Sequence, residues 1–278
     1  MANSAYGSGI NLDAMVVPVQ AATVFAAQEN SLYLPGVLIP SVSVPAGSAS
    51  AQVAVMGSVT AASVSGTEPA TGADFETLLP SDTKKTIALD LLAARTVLRD
   101  LGGIDTNDMG RIMGNAIAAK VDTLVSEKLG DLTAQESLGV DLLTELYKAI
   151  GAVRAAGETG PLNCVVSAGA YQGFMEKIGS SAFAGGDTQN AAMRSGFIGM
   201  IAGTPCYVSA YLNDTNTGLT NTKFAVFSGD ALRMAMQGGV NVEVERRAAA
   251  VGNDIVASAA FGVDVIDATR GIIVQDAV

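Results

Sequence analysis

The feature that most constrains this chain is the stretch TNDMGRIMGNAIAAKVDTLVSEKLG, Thr106 to Gly130. Met109, Met113, Ala116, Ile117, Leu124 and Val125 recur at spacings of three and four, which puts them on one face of a helix. Thr106 is a suitable N-cap. Asp108 near the start and Lys128 near the end match the helix dipole. Gly130 can close the helix in a left-handed conformation. At 1.5 Å per residue the rod is about 35 Å long. Arg111, Asn115, Asp122 and Ser126 are expected on the other faces. Gly110 and Gly114 each cost roughly 1 kcal/mol relative to Ala, so a neighbour that needs the room is expected beside them.

The second constraint is an absence of charge. No charged residue occurs between Glu29 and Glu68. Val42 and Val44, then Val53 and Val55, alternate with Ser, Ala and Gln, which predicts extended strands broken at Pro45-Ala46-Gly47. Uncharged strands are poorly defended against pairing with another chain. In a monomer that is a liability; in an assembling subunit it is a contact surface. Upstream, a Gly/Ser-rich tip leads through Pro18 and Pro35, with a short helical turn expected at 24–29.

The remaining chain reads as α+β without an internal repeat. KKTIALDLLAARTVLRDL begins as a strand and ends with a helical or turn-like pattern. A second amphipathic helix is predicted over 134–156, a strand over 162–167 and a helix over 168–178. Strands follow in TPCYVS and FAVFSG. VNVEVE alternates at period two, and DIVASAAFGVDVID and RGIIVQDAV close the chain as two strands. NDTNTGLTNT is a polar loop.

Composition narrows the chemistry. The net charge of -11 argues against a general electrostatic grip on nucleic acid. The chain has no His, which removes Ser-His-Asp and Cys-His catalysis and imidazole metal sites together. Two cysteines, Cys164 and Cys206, sit in strand-like runs and read as buried thiols. There is no P-loop, no dinucleotide fingerprint and no nucleophile elbow. No cofactor or metal is expected. The acid pairs Asp264/Asp267 and Glu243/Glu245 are the remaining candidates for a paired-carboxylate enzyme. Arg246-Arg247 beside Glu243 and Glu245 reads as a subunit contact or a surface ion pair. The first Lys or Arg is Lys84, so neither a secretory signal nor a basic N-terminal arm is expected. No apolar run is long enough for a membrane span.

In their order, these features resemble the major capsid protein of tailed double-stranded DNA phages, the Hong-Kong-97-type coat fold, most closely its short-tailed versions. AGSASAQVAVMG (46–57) stands where the family has a Gly-Lys-Ser-Ala-Gln-Phe-Pro-like strand, although this chain lacks the Lys. SGTEPATGADFE resembles the family's Gly- and acid-rich hairpin, and KKTIALDLLAARTVLRDL its return strand. IDTNDMGRIMGN resembles the approach to its spine helix, AGTPCYVSAYL a later Gly-x-Pro strand and FGVDVIDATRGIIVQ the closing strands.

The resemblance implies an N-terminal arm over 1–40 and an extended loop, a β-hairpin, over 41–86. It implies a peripheral domain over 87–139 and 240–278 with its spine helix at 106–130, and an axial domain over 140–239. It further implies hexamers and pentamers of an icosahedral shell around double-stranded DNA held without sequence-specific binding. Scaffolding and portal proteins are the implied partners, in a virion made in the host bacterial cytoplasm. The expected inter-subunit contacts are Val42, Val44, Val53, Val55, Lys84, Lys85, Arg246 and Arg247. Hinges are expected at Gly102-Gly103 and near 185–186. The Lys–Asn crosslink of some members is not expected, because the lysines near the loop lie only at its base. An encapsulin-type compartment, a paired-carboxylate enzyme and a filament or surface-layer protein are the alternatives.

Overall fold

A computed structural model describes residues 12–56, 82–99, 106–137, 141–180, 197–212, 219 and 221–276. The Gly/Ser tip, the acid-rich hairpin segment, both expected hinges and most of the polar loop at 213–222 lie outside the described residues.

Two sheets organise the chain. The first has four strands in the order β1 (Ser41–Ser43), β10 (Leu232–Arg247), β11 (Gly252–Val265) and β4 (Asp90–Arg99). The second has six, in the order β5 (Thr133–Glu136), β12 (Gly271–Gln275), β9 (Thr222–Ser228), β6 (Leu162–Ser167), β8 (Thr204–Ser209) and β7 (Phe197–Ile201). A separate two-stranded hairpin pairs β2 (Ser50–Met56) with β3 (Asp82–Ala88). The helices are α1 (Leu12–Asn30), α2 (Thr106–Leu129), α3 (Leu142–Ala155) and α4 (Ala168–Ser180).

The long helix forms as its pattern demands, over 24 residues. Met109, Met113, Ile117, Val121, Val125 and Leu129 are all buried along one stripe. Ala116, expected on that stripe, is exposed, and Val121 supplies the missing turn.

The neighbour that needs the glycines is α1. A Cβ added to Gly110 would sit 2.8 Å from both Ala22 Cβ and Val19 O. One added to Gly114 would sit 2.8 Å from Ala26 Cβ and closer still to the Thr23 carbonyl oxygen. Small residues on both helices therefore bring the two backbones together. This corrects the short helical turn expected at 24–29: the helix runs 19 residues and contains Pro18. An internal Pro forfeits one backbone bond and costs about 3 kcal/mol in an isolated helix. Here Val19, Thr23, Ala26 and Ala27 are buried against α2, and that packing overrides the local penalty.

Two further expectations change for one reason, strand pairing. The segment after β3 is strand throughout: β4 pairs antiparallel with β11 from Asp90↔Phe261 to Arg99↔Gly252. The second amphipathic helix begins at Leu142, not at 134, because Thr133–Glu136 pairs in parallel with Ile272–Gln275. The last strand, β12, thus belongs to the six-stranded sheet, whereas β10 and β11 stay with the spine helix.

The central strands of the six-stranded sheet, β12, β9 and β6, are buried on both faces, and their residues alternate between two cores. Cys164, Val166, Phe224, Val226, Ile272 and Val274 face α3 and α4, where they meet Leu146, Val153 and Phe174. Val165, Ala225, Phe227 and Ile273 point the other way, into the core shared with α2 and the four-stranded sheet. Period-two alternation therefore joins the two sheets through one continuous interior.

Candidate assembly surfaces

The hairpin β2/β3 carries four of the expected contact residues. Val53 is opposite Lys85, Ala54 opposite Lys84 and Val55 opposite Thr83. Directly opposed residues share a face, so Ala51, Val53, Val55, Lys85 and Ile87 form one side. That side is anchored at its base, where Val44, Ala51, Ile87 and Ala235 make a small buried cluster. The β3 end also crosses β11 at Gly262, where a Cβ would collide with the Ala88 carbonyl oxygen. The opposite side, with Gln52, Ala54, Lys84 and Thr86, is exposed. Among the described residues no third strand pairs with either member of the hairpin.

The expected residues thus separate. Val44 is 5 % exposed and donates its backbone N–H to Met236 O at 3.1 Å, so its side chain is committed within this subunit. Val42 pairs with Ala235 on the edge strand β1 and is half-buried. Val53 and Val55 are half-buried. Lys84 is exposed, while Lys85 reaches back to donate from Nζ to Val265 O at 3.4 Å.

Arg246 and Arg247 lie far along β10, beside the β10–β11 turn. Arg247 Nη1 is 3.9 Å from Asp254 Oδ2, and Arg246 Nη1 donates to Asn253 Oδ1 at 3.4 Å. Asp254 also takes both donors of Arg95 from β4, with Nε at 2.9 Å from Oδ1. The Arg95 guanidinium holds the Asp254 carboxyl below the usual carboxylate range, against the cost of burial, and Arg247 adds to this. Across three strands the arrangement is an ion cluster within the subunit, with Asp254 buried and both Arg95 and Arg247 about half in solvent. At the turn itself Val251 takes φ 46° and is 61 % exposed. A β-branched residue in that conformation is strained.

The members of the two acid pairs have different surroundings. Asp264 is 3.6 Å from Lys128, and its Oδ1 accepts from Val265 N. Asp267 caps the turn before β12. Burial raises its carboxyl, but hydrogen bonds from Thr269 and Arg270 outweigh this and hold it below the ordinary value. Glu243 and Glu245 are exposed on β10. Asp267 instead borders a cleft of about 650 Å³ between the hairpin and the end of α3. There Arg270 meets Glu158 at 3.4 Å, Asp230 at 3.7 Å and Asp267 at 3.2 Å, while Arg233 binds Asp230 at 2.6 Å. Acids neutralised in this way suit a rigid corner better than proton transfer. No cluster of three or more acid or thiol ligands suited to a metal occurs among the described residues. Among them, too, no helix is long and apolar enough to cross a membrane.

Sequence reasoning missed two features around α1. Asp122 and Ser126, expected on a polar face of α2, are buried. The Asp122 carboxylate accepts from Ser31 Oγ at 2.6 Å and from Leu32 N at 3.1 Å, which fastens the chain leaving α1 to the spine helix. Burial pushes the Asp122 carboxyl up, and these hydrogen bonds offset part of the shift. Tyr33 is buried beside it, and burial together with the Asp122 charge pushes its hydroxyl up as well. The other feature is the outer face of α1, where Val17 and Phe25 are 68 % and 66 % exposed. They flank Ala21 at helical spacing, and Gln20 and Gln28 complete an uncharged groove. A separate run without charge, between Asp13 and Glu29, was the available signal for such a surface, but its helical period was hidden behind Pro18.

A helix-backed four-stranded sheet, a six-stranded sheet flanked by two helices, a projecting hairpin and an arm helix on the spine define the Hong-Kong-97-type capsid fold. No family model matches the chain, and no curated protein matches it. Solved structures do match in fold. The capsid of cyanophage P-SCSP1u superposes with a TM-score of 0.64 at 18% identity, covering 86% of each chain. A chain from Mycobacterium phage Che8 gives 0.60 at 20% identity, over 82% of this chain and 84% of that one. A virus-like particle from Pyrococcus furiosus gives 0.62 at 12% identity, over 93% and 98%.

Proposed function

We propose that this chain is the major capsid protein of a tailed phage, copies of which close into an icosahedral shell around double-stranded DNA. The observation that carries the proposal is the fold match along nearly the whole chain to capsid subunits. The surfaces agree with it. Among the described residues no third strand pairs with the hairpin, and the outer face of α1 is apolar and uncharged. Closed shells need such repeated, complementary patches. Hexamers and pentamers are the assembly units, with scaffolding and portal proteins as partners. The role is structural, without catalysis.

On this reading 1–40 is the arm, 41–86 the extended loop, and the sheet with α2 the peripheral body. The sheet with α3 and α4 is the axial body, which takes β5 and β12 as well. Val53, Val55 and Lys84 on the hairpin are contact residues, with Val42 at the sheet edge. Arg246 and Arg247 flank a second contact at Val251. The acidic chain suits a wall that does not hold its DNA tightly.

The likeness to the Pyrococcus furiosus particle supports a second reading, a protein compartment that holds a protein cargo. Sedimentation of the expressed chain, alone and with a candidate scaffold, tests both readings. Fast-sedimenting particles are expected. Nuclease-protected DNA in particles recovered from infected cells supports the phage reading, and a stoichiometric cargo protein with no DNA supports the other. A chain that stays small under every condition contradicts both.

A further inference from the structure

The two cysteines have no part in the surfaces above, yet their placement is specific. Cys164 on β6 and Cys206 on β8 are register partners in a parallel pair. Both are free thiols, both are fully buried, and both belong to the core under α3 and α4. Cys206 Sγ donates to Thr204 O at 3.5 Å, and the neighbouring Cys206 together with burial pushes the Cys164 thiol up. As register partners on adjacent strands, the two side chains leave the same face of one sheet and enter the same core.

Backbone geometry makes this pair competent for a bond. Neighbouring strands lie about 4.8 Å apart, and opposed residues of a parallel pair point to the same face. A disulfide takes Cα separations of roughly 4.4–6.8 Å. The linked sulfurs also occupy less room than two thiols, so the core need not expand.

We propose that Cys164 and Cys206 are an intrachain oxidation site, which a small hydroperoxide converts from a dithiol to a disulfide. One sulfur attacks an oxygen of hydrogen peroxide. The O–O bond breaks, an S–O bond forms, and the leaving hydroxide takes the thiol proton as water. The second sulfur then attacks the sulfenic sulfur. An S–S bond forms, the S–O bond breaks, and a second water leaves with the second thiol proton. Two thiols are oxidised and one peroxide is reduced to two waters. Peroxide is small and neutral, which suits a site closed to larger disulfides.

The product staples β6 to β8 and closes a loop that carries α4 and β7. The central strands of the six-stranded sheet become covalently tied. This inference stands on the strand register alone and holds whether the chain builds a phage shell or another particle.

The test uses the full-length chain, purified under reducing conditions and exposed to hydrogen peroxide. Remaining thiols are blocked with N-ethylmaleimide after unfolding, and the chain is digested without reduction. The expected result is a pair of peptides joined through Cys164 and Cys206 within one chain, with both thiols lost together. Dithiothreitol restores them, and the unfolding midpoint of the oxidised chain rises by roughly 5–10 °C. In Cys206→Ser the Cys164 sulfur should stop at the sulfenic acid, trapped by dimedone, with no rise in midpoint. Thiols that stay alkylatable, independent sulfinic acids, or a bond only between chains would overturn the proposal. Peptide mapping of the wild type decides the matter even where the serine variant does not fold.

Discussion

At the scale of single residues, the fold rests on a few close approaches and buried polar atoms. Gly114 is the clearest. Any side chain there meets Ala26 Cβ and the Thr23 carbonyl oxygen, neither of which can swing aside. Gly114→Ala is expected to destabilise the chain by about 1–3 kcal/mol in chemical denaturation, despite the better helix propensity of Ala. An increase in stability would mean that the two helices do not touch there.

Val251 has the opposite sign. Its φ of 46° costs a β-branched residue about 1–2 kcal/mol, so Val251→Gly is expected to stabilise the subunit by about 1 kcal/mol. If the exposed side chain is also a subunit contact, the same variant assembles less well, which a sedimentation assay reads separately.

Asp122 and Asp254 respond to pH in opposite senses. The folded chain keeps the Asp122 proton to higher pH than the unfolded chain does. Between the ordinary carboxylate value and the raised one, the folded state binds more protons, so stability from this group falls as pH rises. Relative to Asp122→Asn, the wild type should therefore gain stability on moving from neutral to acid pH. Asp254 is held low by Arg95. Its contribution is present above the ordinary carboxylate range and is lost as pH falls through the lowered value. Relative to Asp254→Asn, the wild type should lose stability over that acid range. Urea titrations of both variants across pH measure the two slopes.

At the scale of elements, the spine helix was the most legible part of the sequence. Its apolar period is strong, and its two glycines announced a close neighbour before that neighbour was known. The identity of the neighbour was not legible. Local rules read Pro18 as a break, while the structure spends that penalty on burying Val19, Thr23 and Ala26. The burial of Asp122 was equally hidden, because a helix pattern shows which residues are polar and not which of them meet Ser31. Strand β4 was misread over its second half for a related reason. LLAARTVLR has good helix formers, and only the ten-residue ladder to β11 makes it a strand.

One strand of the hairpin was legible from the alternation of Val53 and Val55 with Gln and Ala, its pairing was implied only by the resemblance, and the hairpin offers the sharpest element-level test. Met56 and Asp82 are register partners, so a short turn can join them directly in place of 57–81. The base is held by Ile87, Ala51 and the Gly262 crossing, all within the subunit. The shortened chain is expected to fold with near wild-type stability and to fail to form particles. Particles from the shortened chain would show that this loop is not a shell contact.

At the scale of the molecule, the two sheets share one interior, and exposed large apolar residues are spread over the surface, among them Val17 and Phe25 on α1, Leu91 on β4, Ile112 on α2 and Val251 at the β10–β11 turn. On the proposed reading, copies of the subunit cover part of this surface on assembly. Covalent reinforcement by a Lys–Asn crosslink is not expected, since the loop between β2 and β3 contains no Lys and Lys85 is engaged at its base. Boiled, reduced particles should run as single subunits on a denaturing gel, and a ladder of higher species would refute this.

The central claim is that this chain builds a closed shell. The most direct measurement is electron microscopy of the expressed chain, alone and with a candidate scaffolding protein. The account predicts closed particles with five- and six-fold capsomers, in which the β2/β3 hairpin of each subunit lies over a neighbour. Well-ordered open sheets, filaments or discrete dimers under those conditions would contradict it.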